Sequence, residues 1–514
     1  MMNRLLKSSF LLIAGMLLTK ILSFARDIVL SYKYGASSIS DIYIATSALP
    51  TNIIAGIMAA IAIAYVPIYN KIHIQNNGEV NVFTSNCLNV VLAFSVVIYA
   101  LLMFFTEEFI YVFLGGMNAA FLPMAVGWTK IMGASILFMG ISGVFQGYLQ
   151  AHQSFLIIGI CPAVTYIVMI ISVLISTEDY LFPLSMGVLL GNVLYFALLW
   201  GGSRKYGLRY CGHSKAKKSY LSEFGRLVFP ILFSQLLTDV NILIDKRLAS
   251  GLAPGSITAL DYGSKVSSMI YAVIVNPTAG AFFPMLTESL AKKKETLIKD
   301  KLIQIFKIVA LVVIPITALA FVMARPVIEV LFNRGAFDTE AVNLTAVALQ
   351  AYLLGVIPIG FRIILEKIYF ALSDSHTPMI NSAMGIICNI VLNFILIRYF
   401  AHIGLALATS IAAWLCVLLY YIRLKRKVDF VSLKPVKGEL IKIIIATIIM
   451  SIFVYMINVV LMKLQIMQNV VLVRVAVCTI MGVFSYCILL WVLKSSSLIE
   501  SMKYLKQLVN RGGR

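Results

Sequence analysis

Hydrophobic residues in this chain come in runs of about 20, the length that crosses about 30 Å of hydrocarbon, and such runs recur from one end to the other. They predict helical spans over 5–32, 41–70, 81–105, 121–150, 155–176, 181–201, 221–247, 256–290, 302–323, 339–372, 377–398, 403–422, 440–461 and 470–494. The fold class that follows is an all-α polytopic membrane protein of about fourteen transmembrane helices. Its expected parts are an N-terminal lobe at 1–202, a basic cytoplasmic linker at 203–220, a C-terminal lobe at 221–424, and helices 13 and 14 with a basic cytoplasmic tail at 425–514.

Polar positions between the runs report topology. With the N-terminus placed inside, the segments on that side collect 26 Lys and Arg, against seven on the opposite side, where Glu107, Glu108, Glu178 and Asp179 also fall. The positive-inside rule then predicts an even number of spans with both termini cytoplasmic. A weak internal repeat runs through the same pattern. Asp27 and Asp245 are 218 residues apart, as are Ser38-Ile39 and Ser256-Ile257, and Ala64-Tyr65-Val66-Pro67 recurs as Ala281-Phe282-Phe283-Pro284 at an offset of 217. Six spans per half is an even number, so each half starts on the same side, and the expectation is a parallel repeat with a central cavity between two lobes.

Composition agrees with this reading. Hydrophobic residues make up 61% of the 514 and charged residues 12%, and the mean hydropathy is +0.94, outside the range of soluble globular domains. The net charge of +20 sits mostly in short connections rather than on one face of a soluble element, which argues against nucleic acid as a partner. Six of the seven cysteines lie within apolar spans without paired spacing, as small packing residues do. The N-terminal run lacks a small-x-small cleavage site and carries Lys20, Arg26 and Asp27 where one would lie, so a retained first helix is expected. No P-loop, dinucleotide fingerprint or His-Glu-x-x-His is present, and the five histidines lack metal spacing. A transporter rather than an enzyme is expected, with no cofactor and with coupling to an ion or to the membrane potential left open.

An ionisable group at the centre of a span costs about 2.5 kcal/mol or more unless it meets water or a partner. The residues in that position are Lys20, Arg26 and Asp27 in the first span, Asp239 and Asp245 in the seventh, Asp261 and Lys265 in the eighth, and Arg362, Glu366 and Lys367 in the tenth. Lys20, Arg26, Asp27, Lys265 and Arg362 are the candidate substrate-binding residues. Asp245, Asp261, Glu366 and Lys367 are candidates for gating or ion pairs. Local alternatives stand beside these roles: Arg26-Asp27 as an end-of-helix pair snorkelling to the interface, Lys265 neutralised by Asp261 one turn earlier, and Arg362 with Glu366 as a self-satisfied i, i+4 pair. Excess cation in a cavity selects an anion, and phosphate or pyrophosphate suits Arg and Lys. The residues by themselves thus point to a transporter of an anionic, amphipathic substrate.

Ser23-Phe24-Ala25-Arg26-Asp27, Tyr34-Gly35-Ala36, Asp41-x-Tyr43, Leu49-Pro50 and Ala64-Tyr65-Val66-Pro67 stand in an order that resembles the opening of the MurJ/MviN family of lipid II flippases. The resemblance continues through Gly255-Ser256-Ile257, Tyr262, Lys265, Phe283-Pro284, Leu331-Phe332-Asn333-Arg334-Gly335-Ala336-Phe337 and Tyr369 to Pro378. It implies the multidrug/oligosaccharidyl-lipid/polysaccharide exporter fold, with helices 13 and 14 forming a groove for a lipid tail. It also implies cavity-lining roles for Lys20, Arg26 with Asp27, and Lys265. The chain departs from the family pattern in two places: Lys stands at 20 and 265 where Arg is usual, and the second span reads Thr51-Asn52-Ile53-Ile54-Ala55-Gly56-Ile57-Met58-Ala59-Ala60 without the usual cations and glutamate.

The expected function is therefore translocation of an undecaprenyl-pyrophosphate-linked glycan, lipid II first, to the outer leaflet of a bacterial plasma membrane by alternating access. Membrane lipids and other cell-wall synthesis proteins are the expected partners, and the expected state is a monomer. Alternatives are a flippase for a capsule or O-antigen unit, a multidrug antiporter, which should show carboxylates rather than excess cation, and a non-transporting scaffold or a glycan polymerase.

Overall fold

The structure is a computed structural model that describes residues 2–48, 54–75, 79–212, 218–291, 295–372, 374, 376–427, 434–463 and 470–496. Among these residues the regular elements are all helices. Hydrocarbon offers no partner to backbone N–H and C=O groups, and an uninterrupted helix satisfies them internally. The elements are α1 (Met2–Tyr34), α2 (Ser38–Ala48), α3 (Ala55–Gln75), α4 (Val80–Phe104), α5 (Thr106–Leu114), α6 (Leu122–Gly133), α7 (Ser135–Ala151), α8 (Phe155–Ile175) and α9 (Phe182–Lys205). They continue as α10 (Lys218–Ala249), α11 (Ser256–Ile270), α12 (Asn276–Ala291), α13 (Glu295–Val322), α14 (Ala324–Phe332), α15 (Thr339–Ala371), α16 (His376–Lys427), α17 (Lys434–Lys463) and α18 (Val471–Val492).

Eleven of the described helical stretches are long and apolar enough to cross a membrane. One of them, α16, contains Ala401 at φ 46° and ψ −130°, a non-helical residue that divides it between the expected spans 377–398 and 403–422. Counting α16 as two and adding α1 and α10, which are 33 and 32 residues long, gives fourteen. The expected span 41–70 contains residues 49–53, which lie outside those described, and α2 and α3 flank them. Pro50 and the Thr51-Asn52-Ile53 departure fall there, and Ser373, Ser375 and the basic residues beyond 496 lie outside as well.

Two elements were not expected. The nine-residue helices α5 and α14 bury one face each, through Thr106, Ile110 and Leu114 in the first and through Ala324, Pro326, Ile328 and Phe332 in the second. They begin at residues 106 and 324 and end at 114 and 332, both 218 apart. α4 and α13 end at 104 and 322, and α2 and α11 begin at 38 and 256, at the same offset. The repeat glimpsed in three short motifs is thus a repeat of whole elements.

The helices gather into two compact units, Met1–Thr258 with Arg334–Asp338, and Ala259–Asn333 with Thr339–Arg514. The first is centred on an aromatic cluster of α3, α4 and α7 that includes Tyr65, Tyr69, Phe83, Phe145 and Tyr148. There the Tyr65 hydroxyl lies 2.6 Å from Thr84 Oγ1. This unit includes α10, whose Glu223 pairs with Lys71 of α3 at 2.8 Å. In the second, α17 and α18 close on α13 through Leu311, Met450, Val454, Cys478 and Tyr486. Apolar cavities of about 240 and 530 Å³ remain in that unit. Pro315, Met450 and Tyr486 line the smaller, and Phe361, Trp414 and Val436 line the larger.

Candidate functional site

In the first unit α1 carries Lys20, Arg26 and Asp27. Arg26 and Asp27 are buried, and Arg26 Nη2 lies 2.9 Å from Asp27 Oδ1. The guanidinium stands 5.7 Å from the Tyr43 ring and 6.0 Å from the Tyr166 ring, so α2 and α8 enclose it with aromatic faces that favour a cation. Tyr43 is itself fixed edge-on against Trp128 of α6. A buried ion pair repays its desolvation only when geometry and hydrogen bonding are good, and Arg26 Nε has no hydrogen-bond partner among the described residues. Lys20 is exposed, six residues earlier, among the exposed apolar side chains Met16, Leu17 and Ile21, and makes no ion pair among the described residues. In α10, Asp239 is buried and Asp245 is half-buried.

In the second unit Lys265 Nζ lies 2.5 Å from Asp261 Oδ2, one turn earlier on α11. Its ammonium is 5.9 Å from the Tyr262 ring, which is fully buried and stacks on Phe332 of α14 at 4.6 Å. The helix then loosens into a π-turn at Tyr271–Val275 before α12, a local widening common at functional sites. On α15, Arg362 Nη1 is 3.5 Å from Glu366 Oε1. The Tyr420 hydroxyl, 3.2 Å from that same oxygen, holds the carboxylate from α16. Lys367 reaches over the Phe283 and Phe370 rings, at 5.7 and 6.0 Å. Three of the five predicted cations, Arg26, Lys265 and Arg362, therefore sit beside a carboxylate of their own helix, and Lys20 and Lys367 do not.

Sequence reasoning missed a tight polar cluster of the first unit. Asp41 of α2 is buried, and its Oδ1 accepts from the Thr258 N–H at 2.8 Å and from the Thr258 hydroxyl at 2.6 Å. Its Oδ2 accepts from the Gly255 N–H at 2.8 Å. Asp41 thereby supplies the acceptor that the first turn of α11 lacks, and places a negative charge at the positive end of that helix. Beside it the Ala336 N–H donates to the Tyr32 carbonyl at 2.8 Å. Gly255 (φ 86°) and Gly335 (φ 59°) have left-handed backbone, and a Cβ on them would stand 2.5 Å from the Ala36 carbonyl oxygen and 2.2 Å from that of Tyr32. The motifs Tyr34-Gly35-Ala36, Asp41-x-Tyr43, Gly255-Ser256-Ile257 and Arg334-Gly335-Ala336-Phe337 were visible as separate strings. Their meeting in one knot was not.

The sequence model of the family described as lipid II flippase MurJ matches residues 30–477. The chain belongs to this family. Its curated MurJ relatives include a probable lipid II flippase of Vibrio cholerae, 25% identical over 434 residues that cover 82% of each chain. The lipid II flippase MurJ of Burkholderia cenocepacia is 23% identical, covering 80% of this chain and 82% of its own. Among solved structures, a lipid II flippase MurJ in an inward closed conformation superposes with a TM-score of 0.79 at 23% identity, covering 97% of this chain and 100% of that one. An inward-facing multidrug transporter of the MATE family, in the MOP superfamily, gives 0.68 at 12% identity over 80% of this chain and 94% of its own. These structural likenesses show the fold, and family membership makes the chain a multi-pass membrane transporter. From Ala55 to Ala60 the second span of this chain has no charged residue, and the first cation of α3, Lys71, is exposed and paired with Glu223.

Proposed function

We propose that the chain is a flippase that carries lipid II, an undecaprenyl-pyrophosphate-linked glycan, between the leaflets of a bacterial plasma membrane by alternating access. Beyond family membership, the observation that supports this reading is the placement of Arg26, Lys265 and Arg362 at span depth, each beside a carboxylate of its own helix. Such a pair exists without substrate at modest cost and can exchange its carboxylate for an incoming phosphate oxygen. Arg26 and Arg362 each keep an Nε donor with no hydrogen-bond partner among the described residues, which suits them to a second acceptor. The apolar cavities against α17 fit a role in holding a hydrocarbon tail. The Asp41 knot ties elements of the two sequence repeats, and in this reading it opens as access alternates.

Both termini lie on the cytoplasmic side in this reading, because the basic segments then face inward. The chain works as a monomer, with other cell-wall synthesis proteins as its neighbours. The test is transport of fluorescent lipid II in proteoliposomes, with Lys20→Ala, Arg26→Ala and Lys265→Ala made singly. Arg26→Ala and Lys265→Ala are expected to lose about tenfold or more, the worth of one charge-assisted hydrogen bond. Full activity in all three would overturn the site assignment. Transport of a different lipid-linked oligosaccharide in place of lipid II would shift the reading to the capsule or O-antigen class.

A further inference from the structure

A second basic site lies at the end of α9, away from the residues considered above. That helix ends in a Schellman turn: the Leu208 N–H donates to the Ser203 carbonyl at 3.2 Å and the Gly207 N–H to the Arg204 carbonyl at 3.0 Å, with Gly207 at φ 90°. The chain then runs back along α4, held by three side chains spaced four apart on one face of that helix. Asn81 Oδ1 accepts from the Arg209 N–H at 3.4 Å, Ser85 Oγ from the Cys211 N–H at 2.9 Å, and Asn89 Oδ1 from the Tyr210 hydroxyl at 2.8 Å. The Tyr148 hydroxyl fastens the turn from α7 through the Tyr206 carbonyl at 3.0 Å.

This strap walls a cavity of about 900 Å³ whose other sides come from α4, α7 and α9. Leu88, Leu92, Ile141 and Phe145 make it apolar, and Arg204 and Arg209 stand in its lining. Arg204 is stacked on Trp200 at 4.4 Å, which fixes its guanidinium plane. Neither arginine is in an ion pair among the described residues, and the sequence from Ser203 to Tyr220 holds six Lys and Arg with no acid. Leu92 and Trp200 are exposed, and so are Val90, Phe94, Leu194 and Leu198 on the same two helices, a surface that acyl chains cover in a bilayer.

We propose that this cavity binds an anionic glycerophospholipid, its phosphate between Arg204 and Arg209 and an acyl chain along Leu88, Leu92 and Ile141. Guanidinium groups match phosphate oxygens two at a time. Basic pockets between spans on the side of the positive segments are where lipid head groups lodge, and tryptophan belongs at that depth. A water-soluble anion would have no use for the apolar wall.

The test is native mass spectrometry of the full chain in detergent, titrated with phosphatidylglycerol, phosphatidylcholine or inorganic phosphate. Both lipids offer a phosphate, but the choline cation of phosphatidylcholine is repelled by the two guanidinium groups, so the wild-type chain is expected to hold phosphatidylglycerol about tenfold more tightly than phosphatidylcholine. Arg204→Gln/Arg209→Gln should retain one phosphatidylglycerol fewer, and Arg204→Lys/Arg209→Lys should recover part of that binding. Ile141→Trp, which fills the apolar wall and keeps both arginines, should lose the same molecule and answers the question if the double glutamine variant fails to fold. Equal retention of the two lipids by the wild type, unchanged phosphatidylglycerol binding in the glutamine and tryptophan variants, or displacement of the lipid by inorganic phosphate would overturn the proposal.

Discussion

Asp41 shows how much one buried side chain can carry. Its two oxygens take three hydrogen bonds from Gly255 and Thr258, and hydrogen bonds to a charged group contribute roughly 1.5–3 kcal/mol each. Asp41→Ala should lower the unfolding midpoint of the detergent-solubilised protein markedly. Asp41→Asn should fall between, because its amide keeps one acceptor and turns a donor toward the other N–H. A midpoint for Asp41→Ala equal to wild type would show that the knot adds nothing to stability. Gly335 offers a paired comparison. Gly335→Ala places a methyl 2.2 Å from the Tyr32 carbonyl oxygen in left-handed backbone, whereas Gly127→Ala meets nothing within 4 Å inside helix α6. The first should destabilise, and the second should raise the midpoint by the equivalent of about 0.5–1 kcal/mol. At this scale the sequence was legible for Asp261-Lys265 and Arg362-Glu366, since i, i+4 pairs are fixed by helix geometry, whereas neighbours such as Arg26 and Asp27 point to different sides of a helix and their contact is settled by packing. For Asp41 it gave a motif but no partners, since these lie more than 210 residues away.

Among the elements, α5 and α14 were hidden because nine residues are too few to register as spans and they follow directly on α4 and α13. α14 has a further role, for Glu329 lies 3.3 Å from Arg474 of α18. The arginine side chain is 5% exposed and the glutamate 28%. Removing the carboxylate leaves the more deeply buried charge alone, and breaking a buried pair costs roughly 3–5 kcal/mol. Glu329→Ala should therefore destabilise more than Arg474→Ala, and Glu329→Ala/Arg474→Leu less than Glu329→Ala alone. Unfolding midpoints of the three variants in one detergent decide this, and the reverse order would mean that the pair does not anchor α18.

For the whole molecule, the arrangement of charge bears on how the empty carrier resets. Counting cations from the sequence suggests a strongly positive cavity drawn by the membrane potential. The structure neutralises Arg26, Lys265 and Arg362 in place and leaves Lys20 and Lys367 without ion pairs among the described residues. A charge moved through the full field gains about 2.3 kcal/mol per 100 mV. An inside-negative potential should accelerate lipid II transport in proteoliposomes, and Lys20→Gln with Lys367→Gln should flatten that dependence while leaving transport at zero potential closer to wild type. A variant with the same voltage dependence as wild type would remove these two lysines from the resetting step.

What the sequence determined alone is what a local window contains: about fourteen spans from apolar run length, the ionisable residues stranded within them, the 218-residue repeat, and the ion pairs that one helical turn creates. The family resemblance rested on the same strings, in order. Only tertiary structure decided which cation is enclosed by aromatic rings, that four distant motifs tie into the Asp41 knot, and that the strap after α9 walls a cavity with Arg204 and Arg209. The physical reason is range. Hydrophobic run length and helix periodicity act over a few turns and leave their mark in the sequence, whereas a hydrogen bond such as that from Ala336 to Tyr32 joins residues whose spacing carries no pattern until the chain has packed.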